Sequence, residues 1–121
     1  MYKEFHELSI WREGYELLMK VYTLTEKFPS EEKYALASQT VRSGNSVIAN
    51  IAESHGRFSY QDKIRVLYIA RGEIMETRSH IAVALGRKYI TQEEFLHLNN
   101  NYCQLTKDLN AYINSLRKKK Q

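Results

Sequence analysis

Three observations predict an all-α chain, folded as an antiparallel up-down-up-down four-helix bundle. Four segments place apolar residues at the three- and four-residue spacing of a helix face. One proline and five glycines leave too few turn formers for an all-β fold. The links between segments are only a few residues long, and short links between long helices favour antiparallel neighbours. The 121 residues, 43% of them hydrophobic, suit one domain with one core spanning 1–121, its last residues from about 117 forming a basic tail.

The first segment carries two adjacent seams. One is Leu8, Trp11, Tyr15, Leu18 and Tyr22; the other is Ile10, Gly14, Leu17, Val21, Leu24 and Phe28. This arc is wider than one neighbour in a small bundle requires. The second helix is predicted to begin after Phe28-Pro29, with Ser30 as N-cap and Glu31 and Glu32 favourable against the helix dipole. Its seam is Tyr34, Ala37, Val41, Gly44, Ile48 and Ile51. Four poor helix formers, Ser43-Gly44-Asn45-Ser46, stand in its middle, and an interior Gly costs about 1 kcal/mol relative to Ala. The seam nevertheless keeps its phase across Gly44. The helix is therefore predicted to run through, with Ala37 and Gly44 admitting a neighbour at close range.

The third helix is predicted from its N-cap Ser59 to about Gly86, burying Tyr60, Ile64, Leu67, Ala70, Ile74, Thr77, Ile81 and Leu85. The fourth opens on a capping box of Thr91 and Glu94. Its seam is Phe95, Leu98, Tyr102, Leu105, Leu109, Tyr112 and Leu116.

A second face of helix two carries Gln39, Ser43, Ser46, Asn50 and Ser54, all small or neutral polar residues. A solvated face, a subunit interface and a direct nucleic-acid surface are the alternatives. Neutral side chains able to satisfy one another favour the interface, to which Trp11 on the wide arc of helix one is also assigned. Asn50 alone reads as a tie between helices.

The formal charge is +4, and Arg117, Lys118, Lys119 and Lys120 account for all of it. Antiparallel packing gathers that tail at one end with Lys3, Arg57, Lys63 and Arg65, a footprint suited to phosphate. Arg42, Arg71 and Arg78 lie along helices two and three. There they could meet a phosphate backbone, or pair with Glu53, Glu73 and Glu76. Glu53 and Arg57 have the four-residue spacing of a helical ion pair.

No catalytic, cofactor or metal constellation emerges. A di-iron bundle needs two Glu-x-x-His motifs, and Glu94 with His97 is the single copy. Glu76 and His80 read as an ion pair, and Cys103 as a small buried filler. The scattered glycines form neither a P-loop nor a dinucleotide fingerprint. The expectation is a non-enzymatic protein without cofactor or metal. No apolar run approaches the roughly 20 residues that span a bilayer. The mixed-charge N-terminus is not a secretory signal, and a lone cysteine fits a reducing compartment. A cytoplasmic location without a membrane partner is expected.

Trp11, Phe28-Pro29, Glu32, Gln39, Arg42 and the run Asn50-Ile51-Ala52-Glu53, followed by Arg57, Ser59, Ala70, Gly72 and Glu76, form a recognisable set. The chain resembles the small four-helix-bundle proteins encoded within intervening sequences of bacterial 23S rRNA genes. It departs from their pattern at Ser43, Ile48, Ser54 and Glu73. The resemblance implies a homopentamer. It also implies similarity to the accessory protein of diversity-generating retroelements, a basic pentamer that binds nucleic acid and a reverse transcriptase. RNA or DNA, and a protein partner such as a reverse transcriptase, are the partners so implied.

Overall fold

Four helices account for most of the chain: α1 (Ser9–Thr25), α2 (Leu36–Gly56), α3 (Tyr60–Gly86) and α4 (Gln92–Lys120). The computed structural model describes residues 4–120, the side chain of Lys120 excepted, so Lys3 and that side chain lie outside the described residues. Short 3-10 turns at Phe5–Glu7 and Ser30–Glu32 precede α1 and α2. Each helix packs on two others, α1 and α3 both lying between α2 and α4. The buried side chains form one continuous cluster, with Val21, Ile51, Leu67, Ile74, Ile81, Tyr102 and Leu109 among its most enclosed members.

The helix through Ser43-Gly44-Asn45-Ser46 is unbroken. Its compensation is close packing against α1. A Cβ built on Gly44 would stand 3.2 Å from Leu18 Cδ1 and 3.6 Å from the Tyr102 hydroxyl. One built on Gly14 would stand 2.6 Å from Ile48 Cγ2, inside van der Waals contact. Glycines on both helices thus bring α1 and α2 together, and the added dispersion offsets the weak local propensity.

Helix starts follow local chemistry. The Ser59 hydroxyl accepts the Asp62 amide at 3.1 Å, as the N-cap reading of α3 expects. The Thr91 hydroxyl accepts the Glu94 amide at 3.1 Å, and the Glu94 carboxylate accepts the Thr91 amide at 2.8 Å, completing the capping box of α4. The start of α2 differs from expectation. Ser30 opens only the 3-10 turn, and α2 begins at Leu36, whose amide is accepted by Glu32 Oε1 at 3.3 Å. Tyr34, assigned to the buried seam from the sequence, lies before the helix and is 85% exposed.

The α3–α4 connection is closed by a Schellman motif. The amides of Lys88 and Tyr89 donate to the carbonyls of Leu85 and Ala84, each at 2.9 Å. Lys88 takes the left-handed position with φ 66°, which glycine usually fills. The α1–α2 connection is fastened to this turn: the Tyr89 hydroxyl donates to Glu32 at 2.8 Å, and the Phe28 ring lies 5.5 Å from that of Tyr89. No helix of the described residues is long and apolar enough to cross a membrane.

Candidate nucleic-acid interface

The charged residues of α3 divide between two edges of the helix. On the edge toward α2, Glu73 and Glu76 receive Arg42, which is ion-paired with both. Beneath them the Ser43 and Thr77 hydroxyls share a buried hydrogen bond of 2.7 Å. His80 lies 3.1 Å from Glu76, and partial burial together with the Arg42 charge lowers its pKa. Of the two readings the sequence left open for Arg42, phosphate contact or an ion pair, the structure has the ion pair, with Glu73 and Glu76.

On the edge toward α4, the arginines have other partners. Arg71 donates from Nη1 to Asn110 Oδ1 at 2.7 Å, and Arg78 from Nε to Asn99 Oδ1 at 2.8 Å. Arg78 also touches the Met75 sulfur at 3.2 Å. Arg117, near the end of α4, donates to Asn114 Oδ1 at 3.1 Å. The guanidinium carbons of Arg71 and Arg117 lie 4.7 and 5.6 Å from the centre of the Tyr68 ring, within cation–π range. Among the described residues, none of these three arginines forms an ion pair. Amide oxygens and a ring face orient a guanidinium without cancelling its charge, and each retains N–H donors for a bidentate anion.

The face between α1 and α4 carries charges of both signs: Lys20 contacts His97, Lys27 pairs with Glu94, and Glu13 lies against Asp108. Glu13 shares a hydrogen bond with Asp108. Desolvation, then that hydrogen bond and the charges of Asp108 and Glu16, raise its pKa from 4.5 to about 7.

At the end where α2 turns into α3, the cations are partly engaged. Arg57 pairs with Glu53, as its spacing predicts, and Arg65 with Asp62 at 3.6 Å. Lys63 donates to the carbonyls of His55 at 2.8 Å and Ser54 at 3.4 Å, closing the C-terminus of α2, and burial lowers its pKa. Lys118 and Lys119 are exposed on the last turn of α4, and Lys120 ends that helix.

The neutral stripe of α2 is not one surface. Ser43 is fully buried against Thr77, and Ser54 is buried with its hydroxyl on the Ile51 carbonyl. Both belong to the chain's own core, which corrects their assignment to a subunit interface. Gln39 is exposed and accepts from Arg42 at 2.9 Å. Asn50 bonds the Ser46 carbonyl within its own helix at 2.8 Å, not a neighbouring helix. Trp11 is part-buried and stacks on Tyr15, with centroids 5.3 Å apart and planes at 14°.

The family model for the 23S rRNA-intervening sequence protein matches residues 6–111. The chain belongs to that family. Among solved structures, it is similar to a protein of unknown function from the S23 ribosomal protein family of Bacteroides thetaiotaomicron. The TM-score is 0.80 and the identity 29%, covering 87% of this chain and 95% of that one. No curated protein gives a significant match.

Arg71, Arg78 and Arg117 stand out in the sequence as cations; Asn99, Asn110 and Asn114, which orient them, do not. Three asparagines on α4 are neutral acceptors, so no charge pattern in the sequence singles them out as arginine partners. Phe58 was also missed; it stands entirely exposed in the α2–α3 connection. Among the described residues, no group of three or more His, Cys, Asp or Glu side chains could hold a metal ion.

Proposed function

We propose that this bundle is a non-enzymatic cytoplasmic protein that assembles into an oligomer and binds nucleic acid, RNA foremost, through its phosphates. The observation carrying the reading is the α3/α4 edge, where Arg71, Arg78 and Arg117 are held by amides and an aromatic ring rather than by carboxylates. Lys118, Lys119 and Lys120 extend that edge at the end of α4. Such contacts release counterions, so binding weakens steeply with salt and shows little sequence preference.

Oligomerisation is supported by α1. Tyr15 and Tyr22 are 43% and 45% exposed on the same wide arc as Trp11, an aromatic margin suited to a second copy. The assembly proposed is the homopentamer that the family resemblance implies. A ring of copies would multiply each modest patch, compensating for a body of near-zero charge.

The test is titration of RNA and DNA over a range of salt concentrations. Arg71→Gln/Arg78→Gln is expected to reduce the salt slope by about two and to weaken binding to all sequences alike. Binding indifferent to both salt and this substitution would remove the reading.

Apolar side chains favour a second reading. Met75 and Leu96 are 55% and 43% exposed on α3 and α4, and Ile69 and Val83 are also open on α3. They suit a protein-interaction scaffold, with a partner such as a reverse transcriptase. Recovery of one defined partner after nuclease treatment would favour it.

A further inference from the structure

Phe58 is 102% exposed, so no side chain of the bundle covers its ring. It occupies the three-residue link 57–59, between Arg57 and the N-cap Ser59. Neither cap needs an aromatic residue there, and leaving a Phe in water forgoes the stabilisation of burying its ring. Tyr60, two residues on, is 39% exposed at the start of α3. From Tyr60 to Arg71 is three turns and from Arg71 to Arg78 a further two, so these residues fall along one line of the helix. Tyr68 lies beside that line under Arg71 and Arg117. Phe58 and Tyr60 therefore stand at one end of a line that reaches two unneutralised arginines, some 27 Å long at 1.5 Å per residue from Tyr60 to Arg78, the arginines occupying its last ~10 Å.

We propose that the nucleic acid on this line is single-stranded, with an unpaired base stacked on Phe58 while the phosphates follow Arg71, Arg78 and Arg117. The inference rests on the reading of the α3/α4 edge given above and adds the class of ligand. A duplex satisfies arginines equally well but keeps its base faces inside the stack. A single strand offers those faces to a protruding ring, and the combination of a cationic path with exposed aromatics is the usual arrangement for it.

The full-length protein is titrated with a fluorescent oligouridylate, the matching DNA strand, and an RNA duplex of the same length. Both single strands are expected to bind more tightly than the duplex. Phe58→Ala is expected to weaken single-strand binding by about 5-fold or more, the lower end of what one stacked base contributes, and to leave the duplex unchanged. Phe58→Trp retains the single-strand affinity. Because the ring touches nothing in the fold, the melting temperature stays constant in both variants, which separates binding from folding. The inference is overturned if the duplex binds as tightly as the single strands, or if Phe58→Ala leaves single-strand affinity unchanged. In either case Arg71→Gln/Arg78→Gln separates two failures: weaker binding leaves the phosphate edge standing, whereas no change removes that reading too.

Discussion

On the α2 side of α3, Arg42 meets Glu73 and Glu76 above the buried Ser43–Thr77 hydrogen bond. On the α4 side, Arg71 and Arg78 meet Asn110 and Asn99. Both edges tie two helices together, and both position guanidinium groups. They differ in what charge is left over. A carboxylate partner cancels the cation, and a phosphate must compete with it; an amide oxygen holds the same group in place and leaves its full charge to a ligand. The first edge serves cohesion of the bundle, and the second combines cohesion with an open electrostatic surface.

The largest effect is expected from making the first edge resemble the second. Glu73→Gln/Glu76→Gln frees Arg42, adding one phosphate contact. Nucleic-acid affinity should rise by about 10-fold at low salt, with a salt slope steeper by about one. Affinity measured at two salt concentrations checks this. Arg42 is the exposed partner of the ion pairs lost and the glutamates are part-buried, Glu73 the more so; a solvent-screened pair of this kind contributes about 0–1 kcal/mol to stability.

A smaller effect sharpens the cohesive role of the α2/α3 edge. Ser43→Ala removes one partner of a buried hydrogen bond and should lower unfolding free energy by about 1 kcal/mol in denaturant melts. Ser43→Ala/Thr77→Val, with both hydroxyls gone, should recover much of that loss.

The last effect concerns Glu13 between α1 and α4, and it is confined to a window of pH. The Glu13 carboxyl holds its proton in the folded state up to about pH 7, against an ordinary value of 4.5. The folded state therefore binds more protons than the unfolded state between these values. The stability from this group is fully present below pH 4.5 and lost as pH rises to about 7. Glu13→Gln should flatten that part of a stability-against-pH curve.

Much of the bundle was legible because burial in helices is periodic. Leu8, Leu17, Val21, Ile51, Leu67, Ile74, Ile81, Leu98, Leu105 and Leu109 are all buried where the seams place them. The caps at Ser59 and Thr91 were legible because their chemistry is local. Ser30 misled because an N-cap residue followed by two glutamates looks alike before a 3-10 turn and before an α-helix. The stripe misled for a different reason. Ser43 and Ser54 bond the carbonyls three residues back, Thr40 at 3.1 Å and Ile51 at 2.7 Å, so a serine can enter the core without needing a surface. The partners of Arg42, Arg71 and Arg78 lay beyond reach of local spacing. Arg42 and Glu76 are 34 residues apart, Arg71 and Asn110 are 39, and Arg78 and Asn99 are 21, whereas Glu53–Arg57, Asp62–Arg65 and Asn114–Arg117 fall at helical intervals. Which of the first three is neutralised is decided by which helices are neighbours.

The most direct measurement is the salt dependence of RNA binding by Asn99→Asp/Asn110→Asp. The change is nearly isosteric and gives Arg71 and Arg78 the carboxylate partners that Arg42 already has. Binding should weaken and the salt slope should fall by about two while the melting temperature holds or rises slightly. Unaltered affinity and slope in this variant would contradict the account, because the charge on that edge would then have no part in holding a nucleic acid.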